Sequence, residues 1–256
     1  MLTPVRIDGH EIQPRDEIHR RKLEALRVFV ERLLASPARD QIAKIILFGS
    51  VARGEAHAES DVDVMVYGFQ DLDALRDATF DASLEMGEYS GEGIESLFET
   101  IEEWLAPQDY FNYTVRRFGQ EVYSVPEENL KAEEAQGLLK LARLNLAMAE
   151  KHMNPDEWRG AADLSYNAAE LCVKAFLLFQ MELIPSSHGG LVEKFGEHYI
   201  KSGLLPRELG KQLHRALEIR SQARYKFRAV ITEEMAQHNL TLAQALISRL
   251  ETTLSQ

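Results

Sequence analysis

Residues 47–68 read LFGSVARGEAHAESDVDVMVYG, and no other stretch constrains the fold as much. The apolar, β-branched run at 43–48 (AKIILF) predicts a strand, and Gly49-Ser50 breaks it where the chain turns into Val51-Ala52-Arg53. A glycine at that point lets backbone approach a neighbour or ligand closely. Ser50 stands among the free N–H groups of a predicted helix start, a natural place for an anion, and Arg53 adds a fork of donors suited to a phosphate. Asp61 and Asp63 flank Val62 at the start of a second apolar run, 62–66 (VDVMV). Strand side chains alternate, so both carboxylates leave one face of the sheet and can share metal ions. Mg²⁺ is held by one or two carboxylates plus substrate phosphates, and a pair of such ions can stabilise the attacking and leaving oxygens of an in-line displacement.

An Asp-x-Asp pair alone says little in a chain with 41 acidic residues, and Asp71-Leu72-Asp73 repeats it a few positions on. The ordered combination carries the weight: apolar strand, Gly49-Ser50, Arg53-Gly54, a short polar connection, then Ser60-Asp61-Val62-Asp63 leading into a second strand. That combination resembles the nucleotidyltransferases of the DNA polymerase β type, particularly the minimal nucleotidyltransferases and the aminoglycoside nucleotidyltransferases. The resemblance implies transfer of a nucleoside monophosphate, AMP by preference, from a nucleoside triphosphate to a hydroxyl acceptor, with pyrophosphate leaving. It implies that Asp61 and Asp63 hold Mg²⁺ in a two-metal site, that Gly49 and Ser50 cradle the triphosphate, and that Arg53 supports the turn or touches a phosphate. A third carboxylate from a neighbouring strand would complete the site. Residues 94–100 (IESLFET) read as that strand, with Glu95 and Glu99 on one face and Ile94 and Phe98 on the other. Glu95 is the preferred third acid, because it lies within the apolar run while Glu99 ends it beside Thr100. The family's usual residue there is aspartate. The alternative, that both glutamates are solvated strand residues, stays open at this stage and would put activity itself in question.

Composition bounds the partners. The 256 residues suffice for two ordinary domains, and 45% hydrophobic with 27% charged is a soluble globular balance. A net charge of −12 disfavours nucleic acid as a partner through overall charge and suits cationic substrates. The single cysteine, Cys172, sits in a helical pattern between Leu171 and Val173, which predicts a buried, reduced core thiol. The first residues lack the apolar run of a signal peptide and no segment approaches a membrane span, so a cytoplasmic protein without a membrane partner is expected.

Taken in order, residues 16–35 form an amphipathic helix stopped by Ser36-Pro37, and 70–83 read as a helix opened by its aspartates. Residues 87–93 read as a glycine-rich break. The aromatic cluster at 104–113 (WLAPQDYFNY) is expected to pack on the sheet rather than stack a base. A closing strand at 118–125 and a linker at 124–128 place the domain boundary near Pro126. The predicted architecture is an α+β domain over 1–125, a mixed sheet with helices packed on it, followed over 126–256 by an all-α antiparallel bundle. Its helices are expected at 130–153, with Leu138, Leu141, Leu144 or Leu146, and Met148 as the apolar face; at 158–181, central and buried; at 188–201; at 206–228; and from a cap at Thr232 to about Leu254.

Three pieces of this second half, residues 166–176 (YNAAELCVKAF), Ser187-His188 and 218–225 (EIRSQARY), resemble HEPN helical domains, which accompany minimal nucleotidyltransferases in the same chain or as partners. Kanamycin-type nucleotidyltransferases are similar in build. Ribonucleases of the HEPN family use an Arg followed four to six residues on by a His; after Arg220 the corresponding positions hold Tyr225, Lys226 and Phe227, so ribonuclease chemistry is disfavoured. Arg207 and His214 meet the spacing formally but lie far from the segment that resembles the motif. His188 is read as a hydrogen-bonding residue at a helix start. The basic run from Arg207 to Arg228 is read as a solvated face, with a phosphate-contacting or RNA-binding stripe as the competing reading. By analogy with transferases that modify a tyrosine of their HEPN partner, the acceptor is a protein tyrosine, as in toxin–antitoxin pairs, with Tyr225 one candidate, or a cationic small molecule. The resemblance also implies a homodimer. Two other classes stay open: an inactive nucleotide-binding regulatory or antitoxin-like module, and RNA binding through the helical domain.

Overall fold

The computed structural model describes residues 2–69 and 72–255, the side chains of residues 88 and 89 excepted, and the chain divides into two compact units, Met1–Leu130 and Lys131–Gln256. The first unit opens with a small antiparallel hairpin, β1 (Val5–Ile7) and β2 (His10–Ile12), turned at Asp8-Gly9 with φ of 43° and 86°. Positive φ at both central residues gives a turn whose twist matches the strands it joins. Helix α1 (Glu17–Ala35) starts where the Asp16 carboxylate accepts the His19 N–H at 2.8 Å, and ends at Ser36, whose N–H donates to the Leu33 carbonyl before Pro37. Its Leu23, Leu26, Phe29, Val30 and Leu33 are buried against the sheet and hairpin, each worth about 1.5–3 kcal/mol.

The sheet has the order β5-β4-β3-β6. β3 (Ile42–Phe48) runs antiparallel to β4 (Val62–Gly68) and to β6 (Gln120–Ser124), while β4 and β5 (Ile94–Thr100) are parallel. A parallel pair needs a crossover, and α3 (Leu72–Ser90) supplies it. The helix expected at 70–83 therefore exists and is longer, running through Gly87 to Ser90; of its opening aspartates, Asp73 lies in the first turn and Asp71 falls outside the described residues. The break expected over 87–93 is confined to Gly91–Gly93, because a helix tolerates one glycine at a position facing open space, as Gly87 does. Short helices α4 (Ile101–Leu105) and α5 (Tyr110–Phe118) follow, so residues 110–118 are helical and only 120–124 form the closing strand.

Val62, Val64 and Val66 of β4 and Ile45 and Leu47 of β3 face the core shared with α1 and α3. The opposite face carries Asp63 and Tyr67. At its far end Trp104 meets Tyr67 edge to face at 5.4 Å, with Lys44 and Arg116 over the indole at 4.9 and 4.8 Å. Packing thus claims Trp104, as expected for the aromatic cluster, but Tyr110 is 81% exposed and Phe111 and Tyr113 are close to half exposed. Their helix turns those rings outward while Asn112 and Val115 point in.

The second unit is helical throughout its regular structure. Val125 and Pro126 are all that separate β6 from α6 (Glu127–Lys151), and the Val125 N–H still donates to the Ala43 carbonyl at 3.0 Å, so the expected linker is a tied corner. Then come α7 (Trp158–Leu178), α8 (His188–Phe195), prolonged by a π-turn over Gly196–Ile200, α9 (Arg207–Tyr225) and α10 (Glu233–Leu254), the last capped by Thr232 as predicted. α7 is the central helix, buried from Ala161 to Leu178 along most of its surface, and Asn239 of α10 donates to its Ala162 carbonyl at 3.0 Å. The apolar face expected for α6 needs correction. Leu138 is buried as expected, together with Leu130, Ala135, Leu139, Ala142 and Ala149, and Leu146 is half-buried, whereas Leu141, Leu144 and Met148 are 40–57% exposed. The buried face of the helix thus mixes leucines with small alanines.

Candidate active site at the acid-bearing end of the sheet

β4 lies between β3 and β5, and the two registers bring the predicted residues together. Phe48 is the antiparallel partner of Asp63, so the turn at Gly49-Ser50 folds directly over that carboxylate. On the other side Glu95 is the parallel partner of Asp63. Neighbouring strands lie about 4.8 Å apart, so the two side chains leave the same face side by side. Glu99 pairs with Tyr67, four residues or roughly 13 Å further along the strand, at the end covered by Trp104. Asp61 just precedes β4 and lies against Gly93: the Val62 N–H donates to the Gly93 carbonyl at 2.9 Å, and a Cβ on Gly93 would come within 2.0 Å of Asp61 Oδ1.

Gly49 is required twice over. Its φ of 71° lies in the left-handed region, and a Cβ there would stand 1.8 Å from Asp63 Oδ2. The helix that follows, α2 (Gly49–Arg53), is a single turn. The Ser50 N–H is hydrogen-bonded to the Asp63 carboxylate and so is not the free donor the sequence suggested. Arg53 is exposed and gives its Nε to Glu55 at 2.8 Å, which holds the Glu55 carboxyl below its usual range. The fork of donors is therefore engaged by an exposed and weak partner that a phosphate could displace.

Asp63 is half-buried, and its carboxyl is held above the usual carboxylate range. Burial is the main cause, and the charges of Glu95 and Asp61 add to it; the Ser50 N–H and Arg53 pull the other way. Acids that repel one another in a partly desolvated place are stabilised by a cation. The donor set suits Mg²⁺, a hard ion bound through oxygen. Among the described residues no three His, Cys, Asp or Glu side chains form a ready-made metal cage.

One residue near the site, Lys22, carries no signal in the sequence, and Phe111 belongs to the aromatic cluster expected to pack on the sheet. Lys22 looks like one more solvated position of an amphipathic helix, yet it is 1% exposed and hydrogen-bonds the loop ahead of Asp61. Phe111 meets Phe48 edge to face at 5.7 Å, which puts an exposed ring beside the Gly49 turn. Only the fold brings these positions together.

In the helical unit, Arg220 is buried beside Asp163 and lies between the rings of Tyr166 and Tyr225, at 5.9 and 5.3 Å. Tyr225 itself is 66% exposed. His188 opens α8 and its Nδ1 lies 2.5 Å from Glu170, the hydrogen-bonding role expected of it. Arg207, Lys211 and Arg215 are exposed, the latter two paired loosely with Glu208 and Glu234, as a solvated face would be, whereas Arg220 of the same basic run departs from that expectation in being buried. Cys172 is fully buried and burial pushes its thiol up to about 12. No helix among the described residues is long and apolar enough to cross a membrane.

Two known families match the chain in succession. A family model of a nucleotidyltransferase domain matches residues 17–139, and one of a HEPN domain matches residues 135–252. Three proteins of Methanocaldococcus jannaschii are similar. One, provisionally named a protein adenylyltransferase, is 39% identical over 83 residues, which is 32% of this chain and 82% of that protein. Two others are provisionally named toxins. The first is 27% identical over 124 residues, 48% of this chain and 91% of its own length; the second is 30% identical over 107 residues, 42% and 72% respectively.

Proposed function

From a chain that belongs to the nucleotidyltransferase family in its first half and to the HEPN family in its second, we propose an enzyme that moves AMP from ATP to a hydroxyl acceptor, a protein tyrosine by preference. The observation that carries the proposal is the register of β4 with its neighbours, which sets Glu95 beside Asp63 and folds the Gly49-Ser50 turn over the same carboxylate. Asp61 and Asp63 would hold Mg²⁺, which when bound neutralises triphosphate charge. The Gly49-Ser50 turn lets a triphosphate approach the backbone, and Arg53, released from Glu55, donates to a phosphate oxygen. Glu95, exposed at the edge of the group, takes the proton of the acceptor hydroxyl. The acceptor oxygen then forms its bond to the α-phosphorus as the bond to pyrophosphate breaks. The relative named as an adenylyltransferase supports AMP as the group transferred, and those named as toxins support a paired regulatory role with a toxin–antitoxin partner. An acidic chain also suits a cationic small-molecule acceptor, which is the second substrate class to test.

The test uses each of the four nucleoside triphosphates labelled at the α-phosphate, with the protein and a cell extract as the source of acceptors, against Asp61→Asn/Asp63→Asn. Label from ATP transferred to a protein band by the wild type alone, and released by enzymes that cleave phosphotyrosine diesters, is the expected result. Label on a small molecule would replace the tyrosine acceptor. No transfer from any of the four would overturn the proposed reaction.

A further inference from the structure

Lys22 lies in the second turn of α1, and its side chain is 2% exposed. A buried lysine needs partners for its three N–H donors. This one finds them at two separate places: the carbonyls of Ala58, at 3.2 Å, and Ser60, and the carboxylate of Glu92. Glu92 is itself 5% exposed, and its other oxygen takes Arg21 Nε at 2.8 Å. The first place is the turn over residues 57–60, closed by the Ser60 hydroxyl accepting the His57 N–H at 2.9 Å, from which Asp61 emerges. The second is the residue before Gly93, whose backbone lies against Asp61 and leads in two further steps to Glu95.

We infer that Lys22 is a positioning residue for the transfer reaction: one ammonium, clamped between the Ala58–Ser60 carbonyls and Glu92, fixes the loops that lead into β4 and β5 and so sets Asp61, Asp63 and Glu95. The inference rests on the reading of those acids as the metal and substrate site. The clamp has a clear physical logic. Asp61, Asp63 and Glu95 are like charges brought together at neighbouring strand ends, and the two segments that lead to them are loops on the N-terminal side of their strands. Without an anchor they would relax apart. An ammonium bonded to main-chain carbonyls and to a buried carboxylate holds backbone as well as side chain, and its charge opposes the local excess of negative charge. Arg21 pairs with Glu92, whereas Lys22 spans the two loops.

The test separates positioning from stability. Lys22→Met alone would leave Glu92 buried with only Arg21 and would destabilise the fold, so the informative variant is Lys22→Met/Glu92→Met, which removes both charges together; such replacements are often neutral for stability. Lys22→Gln/Glu92→Gln, whose first side chain is one atom shorter than lysine, is made alongside in case the apolar pair does not fold. Three quantities are read: the thermal midpoint, hydrogen exchange at the amides of residues 58–62 and 92–95, and calorimetric binding of ATP in Mg²⁺. The expected result is a near-normal midpoint with faster exchange confined to those two segments and Mg²⁺-dependent ATP affinity lowered about 10–100-fold, the range found when the partners that orient metal ligands are removed. Arg21→Gln should lower it far less. A variant with normal midpoint and normal Mg²⁺-dependent ATP binding overturns the inference while leaving the site intact. Absence of ATP binding by the wild type overturns the reading of the site and this inference with it.

Discussion

Replacing Gly49 by alanine should abolish transfer while leaving a folded protein, and the size of the effect follows from two distances. A Cβ at Gly49 would stand 1.8 Å from Asp63 Oδ2, and ordinary contact begins near 3.4 Å, so the oxygen must retreat by about 1.6 Å. Misplacing a reacting group by roughly 1 Å costs about 100-fold in rate, and losses at least that large are expected here. The left-handed φ adds about 1–2 kcal/mol of backbone strain for any residue with a side chain, which should lower the melting midpoint by a few degrees. Gly93→Ala separates the two contributions. Gly93 is not among the glycines with positive φ, yet a Cβ there would stand 2.0 Å from Asp61 Oδ1. That variant should keep a normal midpoint, because exposed Asp61 can swing aside, and still lose at least tenfold in transfer. The assay is pyrophosphate release with saturating acceptor, beside a thermal melt of each variant. A Gly49→Ala protein that transfers within threefold of the wild-type rate would refute the placement of the turn against a working carboxylate.

Three further outcomes follow from the same geometry. Because Asp63 is held above its usual range, the folded chain keeps that proton to higher pH than the unfolded chain does, so stability falls as pH rises through the window between the two values and the loss persists above it. Asp63→Asn should therefore raise the melting midpoint of metal-free protein at neutral pH and flatten that pH dependence; an unchanged or lower midpoint counts against the acid cluster. With its thiol pushed up to about 12, Cys172 should be roughly one part in ten thousand thiolate at pH 8, so thiol reagents should label it only on unfolding; rapid labelling of the native protein would contradict its burial. Asn239→Ala should cost the protein about 1–3 kcal/mol by removing a fully buried donor from the Ala162 carbonyl, read as a lowered denaturation midpoint, and a shift below 0.5 kcal/mol would contradict it.

The strands and the acid pair were legible because their signals are local. An apolar β-branched run, a glycine at the turn and an Asp-x-Asp at the start of the next strand fixed β3, α2 and β4 within a residue or two, and Asp16, Ser36 and Thr232 marked helix ends through their own hydrogen bonds. The choice of Glu95 over Glu99 could be argued only from position in a weak strand; the parallel register with β4 supplies the geometry, and no sequence signal states which residue of β5 faces Asp63. Lys22 stayed hidden because burial of a lysine depends on carbonyls and a carboxylate more than thirty residues away. The face of α6 was misjudged in part because hydrophobicity ranks Leu141 and Leu144 above Ala142, yet Ala142 is the buried residue and the two leucines are exposed.

The most direct measurement of the central claim requires no acceptor: calorimetric titration of ATP, GTP, CTP and UTP, with Mg²⁺ and with EDTA, into the wild type and into Asp61→Asn/Asp63→Asn. The account predicts ATP binding that needs Mg²⁺ and disappears in the double variant while its fold persists. Binding that survives loss of both aspartates, or no binding of any nucleotide by the wild type, would contradict it.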